Sequence, residues 1–301
     1  MSRQILQQSA ILGLGLFLIF VFSSGVPQEP RAAVQSASVF VGAGHRVDFF
    51  DEWSFFRAVN APRDIKSVFA RKVRGGIVPH HLLASGIIAD FFSRLRSEKP
   101  DTVILLGPNH EERGDFPALT SEYGWQTTFG LVEPDQAVIK TLIEDGVARA
   151  DEDALPQEHA VSALMPFLEH YLPQTRVVPV ILSRFMSADE MEALASSLQS
   201  LITENMIVVS SVDFSHYLSA DQVAENDELT RKIIKDFDYG QMLRLQSDFL
   251  DSPAAIVILQ MVMQKSGAEE SEVVWHENSA EFLQQGPGAQ TTSYFSIVFH
   301  E

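Results

Sequence analysis

The chain has 301 residues, 46% of them hydrophobic, no cysteine and a formal net charge of −18. Without cysteine there are no disulfides, no thiolate nucleophile, no cysteine-ligated zinc or iron–sulfur site and no lipobox anchor. An acidic surface (pI about 4.8) with no Lys/Arg cluster repels phosphate backbones and argues against a nucleic-acid partner.

The first element in chain order is apolar. "MSRQILQQSAILGLGLFLIFVFSSGVPQEP" has a polar start with Arg3, then an uncharged run from Ala10 to Val26 ended by Pro27. That run lies at the short end of the roughly 17–25 residues that span a bilayer as a helix. It is also longer than most signal-peptide cores. Residues 1–30 therefore read as a signal anchor, with cleavage as a signal peptide the alternative. The membrane is then an expected partner through this N-terminal hydrophobic helix. The main domain would be extracytoplasmic, as a single-pass protein of the cell membrane or secreted after cleavage. Residues 31–69 read as linker and domain lead-in, and 70–301 as the main domain.

Four short β-branched runs follow. They are "GGIVPHH", "DTVILLGPNH" with a strand from Thr102 to Leu106, "TRVVPVILS" and "NMIVVSSVDFSHY". Each is bounded by turn residues, as a strand buried on both faces should be. Helical patterns lie between them. "LLASGIIADFFSRLRSEKP" puts Leu83, Ile87, Ile88, Phe91, Phe92 and Leu95 on one face. "DQAVIKTLIEDG" and "DQVAENDELTRKIIKDF" each open on an Asp suited to capping. This alternation predicts an α/β fold: a single domain with a mixed, largely parallel central sheet flanked by helices.

In such sheets, ligands sit beyond the carboxyl ends of the strands. His80, His110 and His216, with Asp213 beside the last, fall there. Neutral imidazole ligates transition metals and also moves protons near neutral pH. The competing reading of each is a hydrogen-bonded loop histidine. No Gly-x-Ser-x-Gly elbow supports serine catalysis.

The stretches "GIVPHHLLASG", "ILLGPNHEERG", "GWQTTFGLVEPDQAVIKTLIEDG", "QEHAVSALMPFL", "SSVDFSHY", "WHENSAEF" and "TTSYFSIVF" occur in one order over roughly residues 70–300. In that order the chain resembles the Memo family, whose prokaryotic members are called AmmeMemoRadiSam system protein B. The resemblance implies a fold like that of class III extradiol dioxygenases, which are non-haem iron enzymes. It implies His80 and His110 as metal ligands, His216 as the acid/base and Asp213 as a group orienting an imidazole. The pair Glu158 and His159 would lie nearby, with His159 joining the catalytic group.

This sequence departs from the family at the third ligand, often a cysteine. Its region reads "SDFLDSPAAIVILQ", where Asp251 is the available substitute. With Asp251 the site becomes a two-histidine, one-carboxylate set, which leaves positions open on Fe(II). Against this, Pro253 looks like a first helical position, so Ser252 or Asp251 would cap the helix running to Lys265, and capping is the reading placed first. His81-Leu82-Leu83 replace small residues, and Ser162 stands where relatives commonly have an acid. His45, His170, His276 and His300 read as structural or surface residues. Asn278, Ser279 and Glu281 match a family segment without a role following from it.

Three functions stay open. The first is a metal-dependent oxidoreductase on a small organic molecule, with a divalent metal, Fe(II) ahead of copper or zinc. The others are a binding or scaffold protein that reuses the pocket, and a zinc-dependent hydrolase. The family name implies a pathway link to AMMECR1-type and radical SAM proteins, which a membrane-tethered placement fits poorly.

Overall fold

The computed structural model describes residues 44–61, 68–286 and 289–301. Gly42–Glu301 cluster as one compact unit. In chain order its strands are β1 (Gly44–Arg46), β2 (Val73–Val78), β3 (Thr102–Pro108), β4 (Ala118–Thr120), β5 (Gly124–Gln126), β6 (Leu131–Val132), β7 (Arg149–Ala150), β8 (Arg176–Leu182), β9 (Met206–Ser211), β10 (Glu270–Asn278) and β11 (Ser293–His300). The helices are α1 (Glu52–Val59), α2 (Ser85–Leu95), α3 (Gln136–Glu144), α4 (His159–Ser162), α5 (Met165–Tyr171), α6 (Ala188–Leu201), α7 (Ala220–Lys235), α8 (Tyr239–Met242), α9 (Pro253–Lys265) and α10 (Ser279–Phe282).

Eight strands form the main sheet in the order β10-β11-β2-β9-β3-β8-β4-β7, and β1-β5-β6 form a small second sheet. Within the main sheet β2-β9, β9-β3, β3-β8 and β4-β7 are parallel, and β10-β11, β11-β2 and β4-β8 antiparallel. The expected mixed sheet flanked by helices is therefore present. The four predicted strand runs are its parallel centre. Their alternation explains why they read as continuous apolar runs: Val103 and Leu105 enter one core while Ile104 and Leu106 enter the other. One core takes residues of α1, α2 and α5; the other takes residues of α3, α6, α7 and α9. Each large apolar side chain withdrawn from water this way contributes about 1.5–3 kcal/mol.

β2 is squeezed from both sides. A Cβ at Gly75 would lie 2.7 Å from Met263 Sδ of α9, and one at Gly76 2.7 Å from the Phe91 ring of α2. Only glycine lets both helices approach the strand that ends at the first candidate ligand. On α2 the expected face is buried from Ile87 to Leu95, with Leu83 only partly covered in the 3₁₀ turn Leu82–Ala84 that precedes the helix.

Two expectations are corrected. α7 is capped by Ser219, not by the Asp of its "DQ" opening: Ser219 and Gln222 form a capping box, and Asp221 sits in the first turn. The second concerns the membrane. The expected N-terminal helix falls in residues 1–43, outside the described residues. Among the described residues no helix is long and apolar enough to cross a membrane. The most apolar, α9, has 13 residues, against about 20 needed. The membrane-spanning anchor, the membrane as partner and the extracytoplasmic placement are withdrawn accordingly.

Candidate metal centre

Because β2, β9 and β3 are neighbours and parallel, their carboxyl ends open on one edge, and each delivers a polar residue there. His80 follows β2, Asp213 follows β9 and His110 follows β3. Asp251 arrives from the turn before α9. That turn is stitched to β9: Asp251 N donates to the Asp213 carbonyl (3.2 Å), Asp213 N donates to Asp251 Oδ2 (3.1 Å), and Phe214 bridges Leu250. Ser210 Oγ adds a bond to the Ala255 carbonyl (2.8 Å) in the first turn of α9.

The capping question has a clear answer. Pro253 opens α9, and Ser252 is its cap, accepting from Ala255 N. The Asp251 carboxylate faces the histidines instead. Its Oδ2 lies 3.3 Å from His80 Nε2 and 3.8 Å from His110 Nε2. Its Oδ1 is buried with no hydrogen-bond partner. A buried carboxylate oxygen without a partner is costly unless a cation or proton meets it.

Both imidazoles are oriented through Nδ1. Ser211 Oγ has one proton and gives it to the Ala160 carbonyl (2.6 Å), so toward His80 Nδ1 (3.1 Å) it can only accept. His80 therefore carries Nδ1–H, and its Nε2 lone pair points at Asp251 and, 3.6 Å away, at Asp213 Oδ2. His110 donates Nδ1–H to Glu158 Oε1 (2.8 Å), and its backbone N–H donates to Glu158 Oε2 (2.8 Å). Glu158, the cap of α4, also accepts from Ala160 N (2.9 Å). A carboxylate behind an imidazole fixes its tautomer and raises its basicity toward a metal.

Proton affinities diverge across the cluster. Burial pulls the His80 pKa down to about 3, against the Asp251 charge. Burial opposes the charge on His110 as well, but the Asp251 and Glu158 carboxylates outweigh it and push the pKa up to about 10. Burial works to raise Glu158, yet hydrogen bonds from His110 and His159 hold it well below the ordinary carboxylate range. Asp213 is raised, by burial foremost.

Of the residues expected at the site, five converge. His80, His110 and His159 form one group that could hold an ion, and His80, Asp213 and Asp251 another; within each, one ligand atom per residue lies within 4.8 Å of the rest. His159 stacks on His110 (ring centroids 4.2 Å apart), and its Nδ1 lies 3.2 Å from Glu158 Oε1. His216 joins neither group; its Nδ1 meets the Ser247 carbonyl at 3.1 Å. Nitrogen and carboxylate donors of this kind suit Fe, Zn, Mn or Cu, so the donor set fits a divalent transition metal.

Ser211, which sets the His80 tautomer, escaped the sequence reading. The signal was present as two serines closing an otherwise apolar strand. The replacement at Ser162 is structural, its hydroxyl bonding back to the Glu158 carbonyl (2.9 Å). His81 turns from the cluster to the Tyr294 hydroxyl (2.6 Å). His45, His276 and His300 pair with Glu152, Asp227 and Glu272. Asn278 and Glu281 form the capping box of α10.

Fold and site together define an α/β protein with a histidine–carboxylate cluster at the carboxyl edge of a mixed sheet. A family model described as "Memo-like protein" matches residues 55–298, and the chain belongs to that family. It is 27% identical over 263 residues to a MEMO1 family protein of Sulfolobus acidocaldarius, covering 82% of this chain and 91% of the relative. A MEMO1 family protein of Sulfurisphaera tokodaii is 26% identical over 264 residues with the same shares. Among solved structures, an uncharacterized protein from Escherichia coli K12 matches with a TM-score of 0.51 and 12% identity, over 74% of this chain and 99% of that one, a likeness of fold alone.

Proposed function

We propose that the chain is a metal-dependent oxidoreductase of the class III extradiol dioxygenase kind, acting on a small organic molecule, with a divalent ion, Fe(II) foremost, held by His80, His110 and Asp251. One observation carries the reading. Asp251 Oδ2 stands between the Nε2 atoms of two histidines whose Nδ1 atoms are already committed, and Asp251 Oδ1 is buried without a partner. A ferrous ion there would supply a redox-active Lewis acid with open positions for substrate and O₂.

The remaining work falls to the chain. Asp213 Oδ1 accepts the His80 backbone N–H (3.1 Å) and fixes the turn that aims that imidazole. Glu158 orients His110 and bears on His159. His159, with its side chain 40% accessible, is the imidazole that moves a proton between solvent and the bound molecule. His216, whose charge bears on Asp213 and whose Nδ1 meets the Ser247 carbonyl, is a second proton carrier.

Anaerobic Fe(II) titration with elemental analysis tests this on wild type, His110→Ala and Asp251→Ala. The expected outcome is about one ion per chain in wild type and an affinity loss of about 100-fold or more in both variants. Loss in His110→Ala alone would remove Asp251 from the ligand set. Absence of metal from folded wild type would end the reading.

A further inference from the structure

The fourth parallel strand, β8, ends at the same edge but supplies no member of the cluster. Arg184, Phe185 and Met186 of its loop instead line a cavity of about 570 Å³ whose lining includes His110 and Asp251. That volume suits a small organic molecule, for which sites run roughly 300–1,000 Å³. The lining also carries the apolar Leu243, Leu245 and Leu250.

Two side chains of the β8 loop stand largely in solvent. Phe185 is 75% exposed, and the Arg184 guanidinium lies 4.9 Å over its ring with the side chain 70% accessible. The backbone that carries them is nonetheless fixed. Glu112, in the loop after β3 with a left-handed φ of 48°, accepts from Ser183 Oγ (2.6 Å) and from Arg184 N (2.9 Å), and Ser183 Oγ accepts from Phe185 N (3.1 Å). Three hydrogen bonds thus fix the backbone from which an exposed cation and an exposed aromatic ring line the cavity. Among the described residues that line the cavity, Arg184 alone is a lysine or arginine. The guanidinium is only loosely engaged by Glu112, with Nε 3.6 Å from Oε1. In a chain of net charge −18, an anion is repelled in general and needs a local cation to be retained.

We infer that this cavity binds a small carboxylic acid, with its apolar or aromatic body against Phe185 and the lining leucines, its carboxylate on Arg184, and its far end at His110 and Asp251. The inference deepens the oxidoreductase reading, resting on it for the cavity's being the reaction site. A planar guanidinium with exposed donors matches a carboxylate bidentately, which a lysine would not.

Calorimetric titration of 3-phenylpropionate and of its neutral counterpart 3-phenylpropan-1-ol tests it, on wild type, Arg184→Gln and Asp251→Ala, each with chelator and with Zn(II) added. One charge-assisted bond sets the expected scale. Wild type with chelator should prefer the acid by about tenfold, Arg184→Gln should lose that preference while binding the alcohol unchanged, and Asp251→Ala should keep it. Arg184 is exposed, so its variant should fold. Equal affinity for acid and alcohol in wild type, or no binding of either, overturns the inference. So does a preference seen only with Zn(II) and surviving in Arg184→Gln, since the metal would then hold the carboxylate. An Arg184-dependent preference in a protein that binds no metal would uphold the subsite while ending the metal reading.

Discussion

The two halves of the cluster use the same side chain in opposite surroundings. On the β2–β9 side, His80 is 2% accessible and meets a neutral serine hydroxyl at Nδ1. On the β3–α4 side, the His110 side chain is 28% accessible and meets a carboxylate. Burial dominates the first, so its proton affinity collapses; paired carboxylates dominate the second, so its affinity rises. One half presents a preset lone pair. The other presents an imidazole that must lose a proton before it can ligate.

The comparison breaks most severely at the group behind each imidazole. Glu158→Ala removes the acceptor of His110 Nδ1, His110 N and Ala160 N in one step. It should cost about 3–5 kcal/mol by urea denaturation, because it strands a buried charge pair's partners. Fe(II) affinity should fall about 10–100-fold as well. Ser211→Ala strands only His80 Nδ1 and the Ala160 carbonyl, so its cost should be about 1–3 kcal/mol. Equal losses in the two variants would erase the distinction between the halves.

Acidity sharpens it next. His110 binds its proton more tightly folded than unfolded. Its stabilisation is therefore present below the unfolded value of about 6.5 and lost as pH rises toward about 10. His80 is the reverse case. The unfolded chain takes up a proton between about 6.5 and about 3 that the folded chain refuses, so stability is lost as pH falls through that window. Thermal unfolding of chelated protein should show His110→Ala flattening the alkaline limb only. Metal binding near pH 7 should release about one proton, drawn from His110 and absent in that variant, measured by calorimetry in buffers of different ionisation heat.

How far the sequence reveals this depends on what each signal encodes. Continuous apolar runs report burial on both faces, which is why β2, β3, β8 and β9 were legible as strands. The rule that sites lie beyond carboxyl ends then led to His80, His110 and Asp213. It does not say which side chains share a group that could hold an ion: His216, five residues past its strand, lies outside both, although its charge bears on Asp213. Asp213 and His159 were legible as residues near the site, but their membership of the groups that could hold an ion depends on neighbours far apart in the chain. Arg184 and Phe185 were invisible, because neither periodicity nor spacing registers a loop whose backbone is fixed by a carboxylate from another loop.

Asp251 and Ser252 are the finest version of the same problem and give the smallest expected effect. Both are polar residues before a helix-opening proline, and either is an acceptable cap by type. Three-dimensional placement separates them. Ser252 Oγ accepts from Ala255 N at 3.3 Å, whereas Asp251 is fixed by two bonds with the Asp213 backbone and by the Phe214–Leu250 bridge. Those contacts do not pass through the Ser252 hydroxyl. Ser252→Ala should therefore cost about 1 kcal/mol in urea denaturation and leave Fe(II) affinity within about twofold of wild type, a change below about 0.4 kcal/mol. A metal loss in Ser252→Ala as large as in Asp251→Ala would mean that the cap, rather than the stitching to β9, is what holds the carboxylate between the two imidazoles.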